Sequence, residues 1–341
     1  MTFLPMTTLY LTEPGTVVHC QNQTLLIRRR GQEQLCRLAE VELVVVLPGI
    51  QLTSAALAQL LDRGVETIFL RADGGFRGRL QGSFSTNPEM RLAQYQRAYS
   101  PWGLELAKRI VRGKIRNQRA LLQLRNRATR GQSGPLQEGI DSLAAYLHPL
   151  DRAATCPERE ALMGLEGHCA RIYYQALQHC FSPEWNFRGR NRQPPLDPIN
   201  ALLSWGYGVL LARVFSAVVM AGLDPYLGFF HANLPYRPNL VLDMMEEFRP
   251  LVVDWAVLQL VKAGLLTPED FEPSPDGTGI WLGSLAKKLF LGELERRFRE
   301  PLLYPPQSRR LALSQIVLEQ ARWLGRCLVS GNLEYEAMEL R

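Results

Sequence analysis

The sequence has little of what marks a zinc protein, a secreted protein or a membrane protein. Its six cysteines (20, 36, 156, 169, 180 and 327) form no CxxC pair. That argues against a zinc ribbon or a disulfide framework and suits a reducing cytoplasm. Histidine is scarce, with five in 341 residues, and His19, His148, His168 and His179 fall in no ligand spacing. No apolar run approaches the length of a membrane span, LVVVLPG being too short, so no membrane association is expected. The opening MTFLPMTTLYLTEPG has no basic region followed by an apolar one, so no secretory leader is expected. Repeats and low-complexity tracts are missing too. Acidic balance also falls short: 39 Lys and Arg against 33 Asp and Glu leave a net charge of +6. A basic excess suits a polyanionic partner when the cations are clustered.

What is there divides into two parts. Up to about residue 85, short β-branched runs alternate with turn residues: TLYLT (8–12), TVVHC (16–20), QTLLIRR (23–29), VELVVVLPG (41–49), ETIFLRA (66–72) and FRGRLQG (76–82). Thr53 or Ser54 caps one short helix over 53–64, which Gly64 ends. The expected fold is a small, sandwich-like β domain over 1–85 with one helix. From residue 86 to 341 the apolar spacing is helical. Helices are expected near 88–98, 101–130, 137–147, 156–180, 197–220, 239–263, 281–297 and 307–330, giving a larger all-α domain. Thr155 and Glu158 fit a capping box for the fourth of these, with Pro157 in its first turn.

Two helices carry acids in unusual places. In NLVLDMMEEFRP (239–250), Asn239, Asp243, Glu246, Glu247 and Pro250 share one arc with Asp254, and apolar residues fill the rest of the wheel. A solvated stripe usually mixes signs, and this one holds only acids. Pro250 is expected to kink or divide the helix. On the helix over 157–177, Glu166 lies on the same side as Leu162, Met163, Cys169, Ala170 and Tyr173, and Gly164 and Gly167 leave room around it. A structural pairing with Arg171 is the plainer explanation, but a carboxylate on an apolar face is uncommon and favours a functional role. Carboxylates together with His231, which follows the apolar GFF, suit a hard or borderline divalent ion such as Mg²⁺ or Mn²⁺.

Cations cluster as well. LAKRIVRGKIRNQRALLQLRNRATR (106–130) holds Lys108, Arg109, Arg112, Lys114, Arg116, Arg119, Arg125, Arg127 and Arg130, with no acid between Glu105 and Glu138. Arg188, Arg190 and Arg192 follow in FRGRNR, and Arg309, Arg310, Arg322 and Arg326 lie near the end. Three clusters beside a metal-type site favour nucleic acid. Lys108, Arg112, Lys114, Arg116, Arg119, Arg171, Arg188, Arg190 and Arg192 are the candidate DNA contacts. Tyr173, Tyr174, Trp185 and Tyr207 are candidates for stacking on unpaired bases, though aromatics on helices more often belong to the core.

Several stretches together resemble one family. GIQLTSAALAQLLDRGVETIFLRADGGFRGRL (49–80), RLAQYQ (91–96), GKIRNQRALL (113–122), LMGLEG (162–167), RGRNRQPPLDPINALLSWGY (188–207) and LVLDMMEEFRP (240–250) occur in the order found in the CRISPR-associated endonuclease-integrases, the spacer-acquisition proteins of CRISPR systems. The resemblance implies a metal site of Glu166, His231 and Glu246, with Asp243 as the associated acid. All four are thereby candidate catalytic residues, and Mg²⁺ or Mn²⁺ the candidate cofactor. It implies attack by a 3′-hydroxyl of a DNA fragment on a phosphodiester at the edge of a CRISPR repeat. It also implies homodimers formed through the β domain, two of which flank a dimer of a small ferredoxin-like partner in a heterohexamer on double-stranded DNA. Two other readings remain at this point: a metal-dependent repair or junction-resolving nuclease, and a DNA-binding scaffold whose acids only pair with arginines.

Overall fold

Alternating apolar residues give way to helical spacing between residues 82 and 88, and the chain divides there into two compact units, 1–86 and 87–341. A computed structural model describes residues 7–82, 87–128, 131, 133–151, 158–191, 194–231 and 235–340.

The first unit is built from two four-stranded sheets. In one, β1 (Thr7–Leu11), β5 (Val41–Val46) and β7 (Glu66–Leu70) run parallel, and β8 (Phe76–Leu80) closes the sheet antiparallel to β7. In the other the order is β4 (Gln32–Arg37), β3 (Thr24–Arg29), β2 (Val17–Gln21) and β6 (Gln51–Leu52). Leu11, Val44 and Val46 of the first sheet share a core with Val18 and Leu25 of the second and with Ala56 and Leu60 of α1 (Ser54–Asp62). Thr53 caps α1, its hydroxyl accepting the Ala56 amide at 3.3 Å. Strand β4 was not expected. Its sequence, QEQLCR, is almost wholly exposed, so it carries no apolar alternation to betray it.

In the second unit, α2 (Pro88–Ala98), α3 (Pro101–Ala128), α4 (Gly134–Asp151), α5 (Arg159–Leu177) and α6 (Pro198–Met220) lie within a few residues of their expected spans. The Thr155 and Pro157 of the expected capping box lie outside the described residues. Helices α3, α4 and α5 pack on one another, while α6 packs on α7 (Asn239–Met245) and α10 (Leu313–Ser330). Contrary to expectation, α6 is long and apolar enough to cross a membrane by length and composition. Interior helices pass the same test, and 83% of its apolar window is buried inside this unit.

The unit is not all-α. Two antiparallel hairpins interrupt it: β9 (Phe271–Pro273) with β10 (Ile280–Leu282), and β11 (Pro301–Tyr304) with β12 (Arg309–Ala312). The second lies on a stretch expected to be partly helical. Pro305 and Pro306 lie just before that expected start, in the turn between the two strands, and Ser308 turns with φ of 49°. Helix α9 (Ser284–Arg299) joins the two hairpins.

Around Pro250 the chain divides the helix expected over 239–263. It leaves α7, passes through a π-helical stretch (Arg249–Asp254), and continues as α8 (Trp255–Lys262). Proline has no amide hydrogen to close an α turn, and the wider turn accommodates it.

The aromatics expected to stack on bases are in the core. Tyr173, Tyr174, Trp185 and Tyr207 are all buried. Tyr173 and Tyr207 donate hydroxyls to Asp254 at 2.8 and 2.5 Å, and the Tyr174 and Tyr207 hydroxyls are 2.7 Å apart. Burial pushes the Asp254 carboxyl up to about 6 against the pull of these hydrogen bonds. A group raised in the folded state stabilises fully below its unfolded value, about 3.9, and loses that contribution as pH rises through its folded one. Urea denaturation from pH 4 to 7 should therefore show wild type losing more stability than Asp254→Asn. Parallel pH profiles would mean that this carboxyl is ionised throughout.

Candidate active site

The acid arc of 239–254 faces neither solvent nor one shared cation. Asp243, Glu246, Glu247 and Asp254 are all buried, and each carboxyl has its own set of partners.

Asp243 is enclosed by backbone. The loop after α6 is tied down by Gln94, whose amide nitrogen donates to the Asp224 and Leu227 carbonyls at 2.9 and 2.8 Å. Phe229 and Phe230 then plug into the core. That turns three successive amides, from Phe229, Phe230 and His231, onto the Asp243 oxygens at 2.5, 2.9 and 2.9 Å. Gly228 makes the approach possible, since a Cβ there would sit 2.7 Å from Asp243 Oδ2. His231 Nδ1 lies 2.7 Å from Asp243 Oδ1. A carboxylate can only accept, so the ring proton belongs on Nδ1 and the lone pair on Nε2. That lone pair lies 3.8 Å from Glu246 Oε1.

Glu246 meets cations. Arg249 Nε is 3.1 Å from its Oε1, and Lys114 Nζ is 2.5 Å from its Oε2. Burial alone would raise the carboxyl, but Arg249 and Lys114 outweigh it and hold Glu246 well below the usual range. Glu166 comes to the same place from α5, where Leu162, Cys169 and Tyr173 bury their side of the helix. Its carboxylate also pairs with Lys114. Its partner is thus Lys114 and not Arg171, which is exposed. Gly164 and Gly167 open onto free space.

Glu247 points elsewhere. It accepts the Tyr335 hydroxyl at 2.9 Å and the Met338 amide at 2.7 Å, with Gln320 Nε2 at 3.2 Å from both oxygens. Burial pushes it up to about 8.

Among the described residues, no three His, Cys, Asp or Glu side chains stand ready as a metal cluster. The arrangement still fits a cation. Two carboxylates from separate helices converge on one positive point, now the Lys114 ammonium. Glu246 Oε2 is buried and has that ion pair but no aligned hydrogen-bond donor. An imidazole lone pair faces the same carboxylate. Two carboxylates and one imidazole are the donor chemistry of Mg²⁺ or Mn²⁺ sites. Asp243 already accepts four hydrogen bonds and is placed to orient His231.

The basic helix is not the uncompensated row that its sequence presents. Lys108 pairs with Glu105 at 3.4 Å, Arg109 and Arg112 with Glu336, and Arg116 with Glu339 at 2.8 Å. Arg119 donates to the Ile140 carbonyl at 3.3 Å. Lys114, expected on a DNA-facing surface, is only 5% exposed. Arg190 braces its loop against Asn200 and Ser204 at 2.8 and 3.0 Å. Arg192 lies outside the described residues. Arg171 and Arg188 are exposed in the wall of a cavity of about 760 Å³, whose lining also includes Glu166, Tyr174 and Arg190. The sequence reading missed Gln94, Asn117, Gly228 and Arg249; only Gly228, before two phenylalanines and the histidine, gave any local sign.

Comparison with known proteins places this chain in a family. The model of the family "CRISPR associated protein Cas1" matches residues 9–296. A "CRISPR-associated endonuclease Cas1 3" of Thermus thermophilus is 36% identical over 97% of this chain and 97% of its own. Two other curated relatives, from Rhodospirillum rubrum and Geobacter sulfurreducens, are Cas4/Cas1 fusions each 34% identical over 95 to 96% of this chain, and the chain spans only 57 to 58% of their length. A solved Cas6-RT-Cas1–Cas2 complex contains a chain 25% identical to this one, with a TM-score of 0.85 over all of this chain and 37% of that one. The structure titled "Casposase bound to integration product" has the same fold at 22% identity, with a TM-score of 0.84 over 97% of this chain and 93% of its own. By the match over residues 9–296 and this full-length likeness, the chain belongs to the Cas1 family.

Proposed function

We propose that this protein is a metal-dependent DNA endonuclease-integrase that joins DNA fragments to a CRISPR array. The observation that carries the reading is the convergence of Glu166 and Glu246 on one cationic point beside a histidine whose tautomer is set by Asp243. The named endonuclease relatives support it. Glu166, His231 and Glu246 would hold Mg²⁺ or Mn²⁺, which would polarise a phosphoryl oxygen and stabilise charge on the entering and leaving oxygens as a 3′-hydroxyl attacks. Asp243 keeps Nε2 of His231 available for ligation. Arg249 keeps Glu246 ionised. Arg171 and Arg188 draw phosphates to the cavity beside Glu166. The protein works in the cytoplasm on double-stranded DNA, as homodimers joined through the N-terminal unit. Two of these flank a dimer of a small ferredoxin-like partner in a heterohexamer. The relative solved in a complex with Cas2 supports a partner of this kind.

A second reading has one observation in its favour: Lys114 and Arg249 already neutralise Glu246, as in a scaffold whose acids only pair with bases. Titration with Mn²⁺ separates the two. Saturable binding supports the enzyme and its absence the scaffold.

Three outcomes are expected. Glu166→Ala, His231→Ala and Glu246→Ala should each abolish strand transfer in Mn²⁺, and wild-type joining rates in all three would reject the site. Glu246→Ala should also lower the melting temperature most. It leaves Arg249 without its carboxylate and Lys114 with Glu166 alone, and breaking a buried ion pair costs about 3–5 kcal/mol.

Asp243→Asn should weaken Mn²⁺ binding by roughly ten- to a hundred-fold, as expected of a residue that orients a ligand. Glu246→Gln should lose most of the affinity. A larger loss for Asp243→Asn would exchange the two roles.

Arg171→Ser and Arg188→Ser should weaken binding to all duplexes alike. Each lost phosphate contact should reduce the log–log salt slope by roughly one. A change of sequence preference at constant slope would contradict this.

A further inference from the structure

Past Gly331, which ends α10 with φ of 80°, residues 332–340 form no helix or strand, yet Tyr335 and Met338 are buried. The segment lies along α3. Trp102 Nε1 donates to the Gly331 carbonyl at 2.9 Å, and Glu336 and Glu339 pair with the arginines of that helix. Ala337 sits so close to Gly113 that a Cβ on the glycine would fall 2.1 Å from the alanine's own. Its inner side grips the acid turn. Tyr335 and Met338 both donate to the Glu247 carboxyl. Asn117, wholly buried, donates to the carbonyls of both Met338 and Glu247 at 2.7 and 2.9 Å and accepts the Leu340 amide at 2.8 Å. One turn earlier on the same helix, Lys114 holds Glu246. Two consecutive acids are thus fixed from one helix. The first is held directly, and the second with this strap wedged behind it.

We propose that the strap over residues 331–340 is a positioning element for Glu246, holding the acid turn against α3 through Glu247 and Asn117. The turn needs such an anchor because it falls where α7 ends and the π-helical stretch has not begun, so regular helix bonding does not fix it. The family-model match ends at residue 296, short of the strap, while the chain in the Cas6-RT-Cas1–Cas2 complex matches all of this chain. The catalytic part of the inference rests on reading Glu246 as a metal ligand.

The test uses the full chain carrying Tyr335→Phe or, separately, Asn117→Leu. In metal-free protein, amides 243–248 should exchange with deuterium about ten-fold faster than in wild type, while those of α6 are unchanged. In strand transfer, kcat should fall roughly ten-fold with KM for DNA unchanged, the size of effect seen when a residue supporting a ligand is removed. Tyr335→Phe keeps the ring in the core and decides the matter if Asn117→Leu fails to fold. Wild-type exchange at 243–248 in Tyr335→Phe overturns the proposal, as does a loss of activity that appears only in KM. A wild-type protein that binds no Mn²⁺ overturns the metal reading instead, and the exchange rates still decide the strap.

Discussion

Four carboxylates buried within twelve residues are the constraint around which the helical unit is arranged. A lone ionised carboxylate in a protein interior is prohibitively costly, so each must be paired, hydrogen-bonded or protonated. Here all three solutions occur. Asp243 takes backbone amides and an imidazole, Glu246 takes two cations, Glu247 rises until it favours its proton, and Asp254 lies between two tyrosine hydroxyls. Each solution recruits a different part of the chain: the loop before α7, helix α3, the strap and helices α5 and α6.

The differing solutions give neighbouring acids different chemistry. Glu246 is kept ionised where Glu166 and His231 can share a cation with it. Glu247, one residue on, is turned away and holds structure. Asp243 spends its oxygens on amides and uses what remains to set the histidine ring. Sequence spacing alone would count these as equivalent.

Much of the fold was legible because apolar periodicity follows burial. It marked α2 and α6 almost to the residue and failed at β4, whose exposed side chains carry no alternation, and at the β11–β12 hairpin, whose second strand takes up the start of the helix expected over 307–330. At the site, Glu166, His231, Asp243 and Glu246 drew notice because acids and a histidine on apolar faces are conspicuous. Their partners did not. Lys114 is 52 residues from Glu166 in sequence and read as one more cation in a basic row. The same row looked unbalanced because Glu336 and Glu339, more than two hundred residues away, meet it only in three dimensions.

The π-helical stretch over 249–254 carries a consequence for how this region tolerates change in length. An α-helix advances about 100° per residue, and a wider turn advances less, so over one such stretch the helix falls behind by about one position. The segment therefore acts as a stored insertion. Removing Pro250, the residue that cannot close an α turn, would let an ordinary α turn form there with α7 and α8 still presenting the same faces. Adding or removing a residue anywhere else between Asn239 and Lys262 would rotate one helix against the other and carry its acids off their partners.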